Sequence, residues 1–317
     1  NIVQTVEEVP KPKNLWVLEE NKGESRASFR EILRYVQSCI VTGRPLDVQD
    51  VTVSLEGETS YILINRYDVL KTALEEVKSI ENPRVTLEVS FDNETAQDNG
   101  GPRREFFRIC LKEIKTTYFD NGLKAHLADD YTIVGLIMAL STLQNGAIPR
   151  FLNEEDLQAL FSPKTPTNLC IAKLQNGFDM LGLCQIGHCL PTFQNLFRAA
   201  PAASLTRRKL TEVDSNAYRR ENEIYALFAK YTRKAASGQR GSVTLEHILQ
   251  FATCSDEEPL LGFAVHPCIE FVDASFESNS SNTCANTVYI PKCSDNNEEE
   301  LFHAYDCAFA SAYFGHM

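Results

Sequence analysis

The spacing of apolar residues is the sequence feature that most limits what this chain can fold into. Over much of its 317 residues, apolar side chains recur three and four positions apart, which indicates amphipathic helices. A few short segments instead alternate between apolar and polar residues, and the clearest of them covers residues 85–91. Such alternation is typical of strands with one buried face. The combined pattern predicts an α+β fold, in which helices pack around a few short strands.

The predicted elements follow one another with turns between them. Predicted strands cover residues 51–55, 61–64, 85–91, 268–272 and 287–290. Predicted helices cover residues 28–41, 69–77, 102–114, 133–140, 154–161, 170–175, 193–197, 223–236 and 301–312. Residues 243–252 are predicted to form a helix or a mixture of helix and strand.

A polar and charged segment, residues 212–222, separates two groups of predicted elements, and we expect a domain boundary there. The chain then divides into an N-terminal tail with a flanking helix, residues 1–50, a helix-rich domain, residues 51–213, and a smaller mixed domain, residues 214–317. The first residue is Asn1 rather than Met, so we expect the sequence to be a fragment of a longer protein.

Charge and hydropathy exclude two classes of partner. The net charge of −12 disfavours nucleic acid, because a phosphate backbone requires a basic face. The longest apolar run, residues 133–140, is too short to span a membrane, and no signal peptide is visible. Basic residues are concentrated in residues 207–240, which we interpret as a solvated linker and helix face; a docking face for an acidic partner is the alternative.

Ten cysteines are many for a chain of this length. Their spacing is irregular, and Cys39, Cys110 and Cys307 lie inside apolar runs. Disulfide frameworks belong to oxidising compartments, whereas buried thiols are common in reducing ones. We therefore expect buried, free thiols and a cytoplasmic or nuclear location.

One thiol, Cys284, lies where cysteines rarely occur. It is within residues 273–286, DASFESNSSNTCAN, which are almost entirely polar and lie between two predicted strands. Free cysteine is among the most buried residue types, so packing does not account for this position. Reactivity does, because a thiol that reacts with a large partner has to be accessible. The sequence therefore predicts a reactive thiol.

Three segments of the chain, in order, resemble the HECT family of ubiquitin ligases. The first, VTLEVSFDNETAQDNGGPRREFF at residues 85–107, is similar to the family's strand, Asp-x-Gly-Gly turn and Arg-Glu-Phe-Phe helix. The second, LEHILQFATCSDEEPLLGF at residues 245–263, is similar to an apolar run with Phe-x-Thr-Gly, Pro and Gly-Phe. The third, NTCAN at residues 282–286 with YIP at 289–291 and a terminal FGHM, resembles the Thr-Cys-x-Asn loop and the C-terminal ending. The region between is most similar to short HECT domains of the cell-cycle-phase-specific type.

This resemblance implies a bilobal fold and a transfer reaction. The larger, helix-rich N-lobe, residues 51–213, would bind a ubiquitin-conjugating enzyme that carries ubiquitin. A hinge would join it to a smaller mixed α/β C-lobe, residues 214–317. Cys284 would accept ubiquitin as a thioester and pass it to a lysine of a protein substrate. The resemblance implies no cofactor and no metal.

Three further residues are predicted to support the thiol. Thr283 and Asn286 flank it with a hydroxyl and an amide, which orient the loop, donate to a developing oxyanion or simply cap the turn. Phe314, the fourth residue from the end, matches a family position implicated in orienting the donor for lysine attack. Ordinary packing of a terminal aromatic residue is the alternative for Phe314.

Carboxylates near the thiol are weaker candidates. A lysine amine is mostly protonated at neutral pH, so a carboxylate beside the thioester would help it to attack. Asp273, Glu277 and Asp295 are near Cys284 in sequence only, and a solvated surface acid is the more ordinary interpretation of each.

Some residues depart from the family's pattern. Asn282 stands where a His usually precedes Thr-Cys, Ala285 stands where a Phe usually follows it, and Cys254 replaces an expected Gly. An inactive HECT-like module, which binds ubiquitin or a partner as a scaffold, is therefore the alternative function.

A metal site is a less favoured interpretation of another cysteine cluster. Cys184, His188 and Cys189 lie close together, but their spacing is not that of a structural zinc site. Buried helix thiols beside a histidine are favoured, and no metal is expected.

A cysteine protease is the third alternative. It would need a histidine beside the thiol. His247, His266 and His303 are available, and none lies in a recognisable motif.

Overall fold

The computed structural model describes residues 29–46, 56–94, 98–198, 219–263, 265–272, 280–283, 286–291 and 298–310. Its α-helices are α1 (Phe29–Ile40), α2 (Val69–Lys78), α3 (Gly101–Ile114), α4 (Tyr131–Leu143), α5 (Glu154–Leu160), α6 (Leu169–Asp179), α7 (Leu183–Cys189), α8 (Pro191–Gln194), α9 (Arg219–Ala236), α10 (Leu245–Thr253) and α11 (Glu298–Ala310). Its strands are β1 (Ser60–Ile64), β2 (Leu87–Phe91), β3 (Cys268–Val272), β4 (Ser280–Asn282) and β5 (Thr287–Pro291). A π-helical turn, Lys115–Phe119, extends α3, and 3₁₀ turns cover Ala125–Asp130 and Asn195–Phe197.

The mixture of helices and short strands agrees with the predicted α+β class. Helices and strands predicted on described residues are confirmed, with their ends shifted by a few positions, and the predicted strand at residues 51–55 lies outside the described part of the chain. Strand β4 was not predicted. None of the helices in the described ranges combines the length and the apolar character needed to cross a bilayer.

Strands β1 and β2 form a parallel pair, with Ser60 opposite Leu87 and Ile64 opposite Phe91. Helix α2 lies between them in sequence, because parallel strands require a crossover connection. Leu87, Val89 and Phe91 are buried, while the residues between them are half-buried. The alternation seen in the sequence therefore places one face of β2 in the interior.

The first hydrophobic core is formed by helices α1 to α8 and by the inner face of the β1–β2 pair. Helix α3 contributes Phe106 and Phe107, whose ring centroids are 5.2 Å apart. Helix α4 is buried along almost its whole length, as its continuous apolar sequence predicts.

Helices α4 and α6 pack backbone to backbone where two glycines meet. A Cβ on Gly135 would collide with the Leu174 carbonyl oxygen, and a Cβ on Gly177 would collide with the Thr132 carbonyl oxygen and lie 2.7 Å from the Leu136 nitrogen. Close approach of this kind is possible only where both positions lack a side chain. The two glycines therefore set the distance between the central helices of the first core.

The second hydrophobic core is built from α9, α10, α11 and the strands β3 and β5, and β5 lies between β3 and β4 in the sheet. Strand β3 runs parallel to β5, and β4 runs antiparallel to it. Aromatic side chains fill this core, and the Tyr231 ring lies 5.3 Å from the Phe302 ring and 5.1 Å from the Tyr305 ring, centroid to centroid. The aromatic rings compensate for the small size of this part of the chain.

After α10 the chain returns to the first core. Leu260 and Leu261 pack against it. Arg34 of α1 donates to the Leu261 carbonyl oxygen at 3.4 Å, and Arg30 pairs with Glu258 at 3.6 Å. The two cores are therefore joined by a packed segment that precedes β3.

The described cysteines are all free; four of them are buried and four are exposed. Cys110 is buried, as its apolar surroundings predict, but Cys39 and Cys307 are exposed. Their helices α1 and α11 place these two positions on the solvent side, so the expectation that they are buried is wrong.

Candidate functional site

Thr283 and Asn286, two of the predicted site residues, lie at the end of β4 and just before β5. Predicted residues that fall outside the described part of the chain are Cys284, Phe314, Asp273, Glu277 and Asp295. Around Cys284, the structure therefore describes the residues on either side, up to Thr283 and from Asn286 onwards.

A β-hairpin fixes those flanks. In the antiparallel pair of β4 and β5, Asn282 lies opposite Thr287, so residues 283–286 form the whole connection between the strands. We call these residues the thiol loop. Asn286 has a φ of 52°, in the left-handed region that Asn tolerates better than most residues. The hairpin thus determines where the chain enters and leaves the loop that carries Cys284.

Asn286 anchors one end of the thiol loop. It is 2 % exposed, and its side-chain Nδ2 donates to the Val265 carbonyl oxygen at 2.6 Å. Its own carbonyl oxygen accepts from the Cys268 backbone N–H at 2.9 Å, at the start of β3. These bonds tie the loop to the segment before β3, which favours a loop-orienting role for the Asn286 amide.

Arg104 of helix α3 holds both ends of the thiol loop from the side of the first core. Its Nη2 donates to the Thr283 carbonyl oxygen at 2.8 Å and to Asn286 Oδ1 at 2.9 Å. Its Nε donates to the Thr253 carbonyl oxygen at 3.0 Å, at the C-terminal end of α10. A guanidinium is favourable there, because the last carbonyls of a helix carry partial negative charge. Arg104 is 7 % exposed, so these bonds lie in the interior.

The turn before α3 places Arg104 at this position. Asp98 accepts from the Gly100 N–H at 2.8 Å and, through its other oxygen, from the Val89 N–H at 2.9 Å. Gly100 takes a φ of 110°, and Pro102 follows in the first turn of α3. The Asp98 side chain therefore links β2 to the start of the helix that carries Arg104.

Thr283 is in direct contact with the first turn of α3. A Cβ built on Gly101 would lie 2.6 Å from Thr283 Oγ1 and 3.3 Å from its Cβ. The loop and the helix therefore meet at a position where only glycine fits without displacement.

Cys254 lies beside this contact but is not a second nucleophile. It ends α10 with a φ of 59°, and its Sγ is 3.9 Å from Glu105 Oε2. Burial and the charge of Glu105 raise the pKa of the Cys254 thiol far above its usual value. A buried thiol that stays protonated does not attack an acyl group.

A buried ion network supports α3 from its other side. Glu105 pairs with Arg66 at 3.0 Å, and Arg66 also contacts Glu94. Burial alone lowers the pKa of Arg66, but hydrogen bonds and charges from the two carboxylates outweigh it and raise the pKa above its usual value. Arg66 therefore stays charged and pairs with Glu105 beneath the site.

A cleft of about 540 Å³ opens between the two cores near this network. Cationic groups on its wall include Arg66, Arg108 and Lys112. Three carboxylates offset these charges: Glu105 lies 3.0 Å from Arg66 and 3.8 Å from Arg108, Glu94 also pairs with Arg66, and Glu113 lies on the same wall. The cleft is therefore a space between the cores with little net attraction for an anion.

Two of the histidines considered for a protease have other roles in the structure. His247 Nδ1 accepts from the Thr244 backbone N–H at 3.2 Å, which caps the start of α10. His303 lies 3.8 Å from Cys307 Sγ, both exposed on α11. His266 is exposed, in the segment before β3.

The cysteines considered for a metal do not converge. Cys184 is buried and its Sγ donates to the Leu160 carbonyl oxygen at 3.6 Å, whereas His188 and Cys189 are exposed. Within the described ranges no group of three or more His, Cys, Asp or Glu side chains is arranged to hold a metal ion.

Arg104 and Gly101 are the site residues that sequence reasoning missed. Both lie in the segment that carries the first resemblance, yet neither was assigned a role. The available signal was indirect: three charged residues, Arg103 to Glu105, stand directly between Gly-Gly-Pro and two phenylalanines. The structure buries all three, which is unusual for a helix start.

No protein-family model matches this chain, and no curated protein matches it significantly. The function therefore has to be argued from the residues and their geometry.

Proposed function

We propose that this chain is a HECT-type ubiquitin ligase. In this function Cys284 accepts ubiquitin from a ubiquitin-conjugating enzyme and passes it to a lysine of a protein substrate. The two hydrophobic cores would correspond to the N-lobe and the C-lobe of a bilobal domain, and a reducing compartment, cytoplasm or nucleus, would keep the thiol free.

One spatial observation carries the proposal. The three sequence segments that resemble the family meet at the Arg104 side chain. Arg104 belongs to the first segment, Thr253 to the second, and Thr283 and Asn286 to the third, and the three acceptors lie 149, 179 and 182 residues away along the chain. A chance likeness of three short sequences does not require them to be adjacent in the fold, whereas a shared site does.

The first chemical step is thiol–thioester exchange. The Cys284 sulfur bonds to the C-terminal carbonyl carbon of ubiquitin, and the bond between that carbon and the sulfur of the conjugating enzyme breaks. The proton from the Cys284 thiol ends on the departing thiol, so the step involves no net oxidation. A few per cent of an ordinary thiol is ionised at neutral pH, which suffices because cysteine is intrinsically nucleophilic and the acyl group is already activated.

The second step forms the product. The substrate lysine amine attacks the carbonyl carbon of the thioester, an amide bond forms, and the Cys284 thiol is released with one of the amine protons. Any carboxylate that accepts a lysine proton would speed this step.

The proposal requires motion between the two cores. One sulfur has to reach a carrier protein and then a substrate lysine, and a hinge is the ordinary solution to such a requirement. In this proposal the pivots would lie on either side of Leu260 and Leu261, which pack against the first core.

Thioester trapping tests the function. The protein is incubated with a panel of ubiquitin-charged conjugating enzymes and run on gels with and without reductant. We expect a ubiquitin adduct that reductant removes, and its absence in Cys284→Ala. Cys284→Ser should give an adduct that reductant leaves intact, because an oxyester replaces the thioester.

Two exposed thiols serve as matched controls. Cys189→Ala and Cys307→Ala should form the adduct as the unaltered protein does. An adduct that persists in Cys284→Ala, or that is lost in either control, contradicts transfer through Cys284. A protein that forms no adduct with any carrier favours the inactive scaffold.

A further inference from the structure

We propose that Arg104 is the positioning residue of the thiol loop, and that this side chain of the first core holds both flanks of Cys284 in the arrangement of the cores described above, in which the sulfur accepts the acyl group. The inference rests on the proposed function and deepens it, because it adds a residue of the first core to a site that the sequence locates in the second.

Arg104 contacts residues that lie before and after Cys284 in the sequence. The carbonyl group of Thr283, which accepts from Nη2 at 2.8 Å, belongs to the peptide bond that joins Thr283 to Cys284. The second acceptor of Nη2, Asn286 Oδ1 at 2.9 Å, lies two residues after the thiol. A single nitrogen atom thus bridges the residues before and after the short segment that contains Cys284.

The geometry of the guanidinium suits this role. Its nitrogens lie in one plane, and Nε and Nη2 point to acceptors on two separate segments, α10 and the thiol loop. A lysine ammonium has its donors on one atom and cannot reproduce that fork. Because Arg104 is almost fully buried, its hydrogen bonds are little weakened by water.

Positioning is the contribution that this reaction needs from the protein. Thiol–thioester exchange starts from an activated acyl group and a competent nucleophile, so the remaining demand is to hold the sulfur in line with the carbonyl carbon. Supporting the loop at both flanks meets that demand. It should affect the rate of transfer within the complex more than the affinity for the carrier.

The neighbouring Arg103 offers a matched control. It is 1 % exposed on the same helix turn, and it donates to the Leu87 carbonyl oxygen at 3.0 Å and to the Leu46 carbonyl oxygen, both in the N-terminal part of the chain. A substitution at Arg103 therefore disturbs a buried arginine whose hydrogen bonds to Leu87 and Leu46 lie in the N-terminal part of the chain.

The test compares Arg104→Gln, Arg104→Lys, Arg103→Gln and Arg103→Lys at a temperature where each variant remains folded by circular dichroism. Single-turnover adduct formation is measured over a range of charged conjugating enzyme concentrations. We expect Arg104→Gln to lower the maximal rate by about tenfold or more, with an unchanged half-saturating concentration. Arg104→Lys should recover part of the rate, and both Arg103 variants should remain within about threefold of the unaltered protein.

Hydrogen–deuterium exchange provides a second readout that does not depend on ubiquitin. Arg104→Gln should speed exchange at the Cys268 amide and in residues 280–288, and Arg103→Gln should not. An unchanged maximal rate in Arg104→Gln, or an equal loss in Arg103→Gln, overturns the inference even if exchange changes.

The two proposals can fail separately. If the unaltered protein forms no adduct with any carrier, ubiquitin transfer is refuted, and faster exchange in Arg104→Gln then shows loop support without that reaction. If the adduct forms and neither the rate nor the exchange responds to Arg104→Gln, the ligase proposal stands and the positioning role of Arg104 is refuted.

Discussion

Position 101 requires glycine because of the neighbouring Thr283 side chain, and not because of its own backbone angles. It lies at the start of α3 without a positive φ, where many residues fit. The limit comes from Thr283, whose side chain fills the space that a Cβ would take. The contact between the helix and the thiol loop is therefore accessible to a test by single-atom changes.

Gly101→Ala should destabilise the protein, because the new methyl group would lie 2.6 Å from Thr283 Oγ1. We expect the free energy of unfolding to fall by about 1–3 kcal/mol, the usual cost of overpacking. Thr283→Ala removes Oγ1, so the double variant should recover part of that loss. Denaturant unfolding of the four proteins measures the coupling. Strictly additive effects would mean that the loop does not dock on α3 in solution.

At the residue scale, the sequence indicates which side chains are reactive but not which side chains lie beside them in the fold. The polar surroundings of Cys284 and its resemblance to a known loop drew attention to Thr283 and Asn286. Their partners Arg104 and Val265 are distant in sequence, and no local pattern relates them. Arg104 lies in a helix among other charged residues, where an arginine is ordinarily assumed to be solvated.

At the scale of elements, the crossing of α4 and α6 depends on the absence of side chains. Gly135 and Gly177 bring the two backbones together, so packing here is fixed by backbone atoms that cannot move aside as a flexible side chain can. In an isolated helix the opposite rule holds, since alanine is favoured over glycine by about 1 kcal/mol.

Helix propensity and steric collision predict changes in stability of opposite sign for Gly177→Ala. Helix propensity alone predicts a more stable protein, whereas collision with the Thr132 carbonyl oxygen predicts a loss of about 3 kcal/mol or more, or failure to fold. We expect the loss, measured as a lower midpoint of thermal or denaturant unfolding. Lys173→Ala, on the same helix, is the control and should change stability by less than about 1 kcal/mol. A Gly177→Ala protein that is more stable than the parent would contradict the close crossing.

Elements that form from interactions within one segment were easier to predict than elements that depend on distant parts of the chain. Helices make their own hydrogen bonds, so apolar spacing located them well. The pairing of β1 with β2 across α2 was not foreseen, because a strand's partner is chosen by the whole fold. Strand β4 was missed because its sequence, Ser-Ser-Asn, has no β-branched or aromatic residue and pairs only through the backbone of β5.

At the scale of the molecule, the two cores are connected by contacts of different kinds. Arg30 and Glu258 form an exposed ion pair, with the Arg30 side chain 52 % exposed. Leu260 and Leu261 pack on the first core through apolar contact. Exposed ion pairs contribute little to stability, so the apolar contact should dominate.

Leu261→Ala and Arg30→Ala measure the two contributions. We expect Leu261→Ala to lower the free energy of unfolding by about 1–2 kcal/mol, below the cost of a fully buried leucine because Leu261 is only half-buried. Arg30→Ala should change it by less than about 0.5 kcal/mol. Equilibrium unfolding in urea provides both values. The reverse ranking would mean that charge, and not apolar packing, holds this segment in place.

The arrangement of the whole molecule was the least predictable from sequence. The polar segment at residues 212–222 predicted two groups of elements, but nothing in residues 258–261 indicated that the chain would return to the first core after α10. Such a return depends on which surfaces remain uncovered once the helices have packed, and that is a property of the assembled fold.

The long reach of Arg104 along the chain has a consequence for the order of assembly. Its acceptors lie 149 to 182 residues downstream, so these bonds can form only after residues 253–286 have been synthesised. A ribosome would release the first core long before residue 286 emerges. The thiol loop would then gain the support of Arg104 only after both cores have been synthesised.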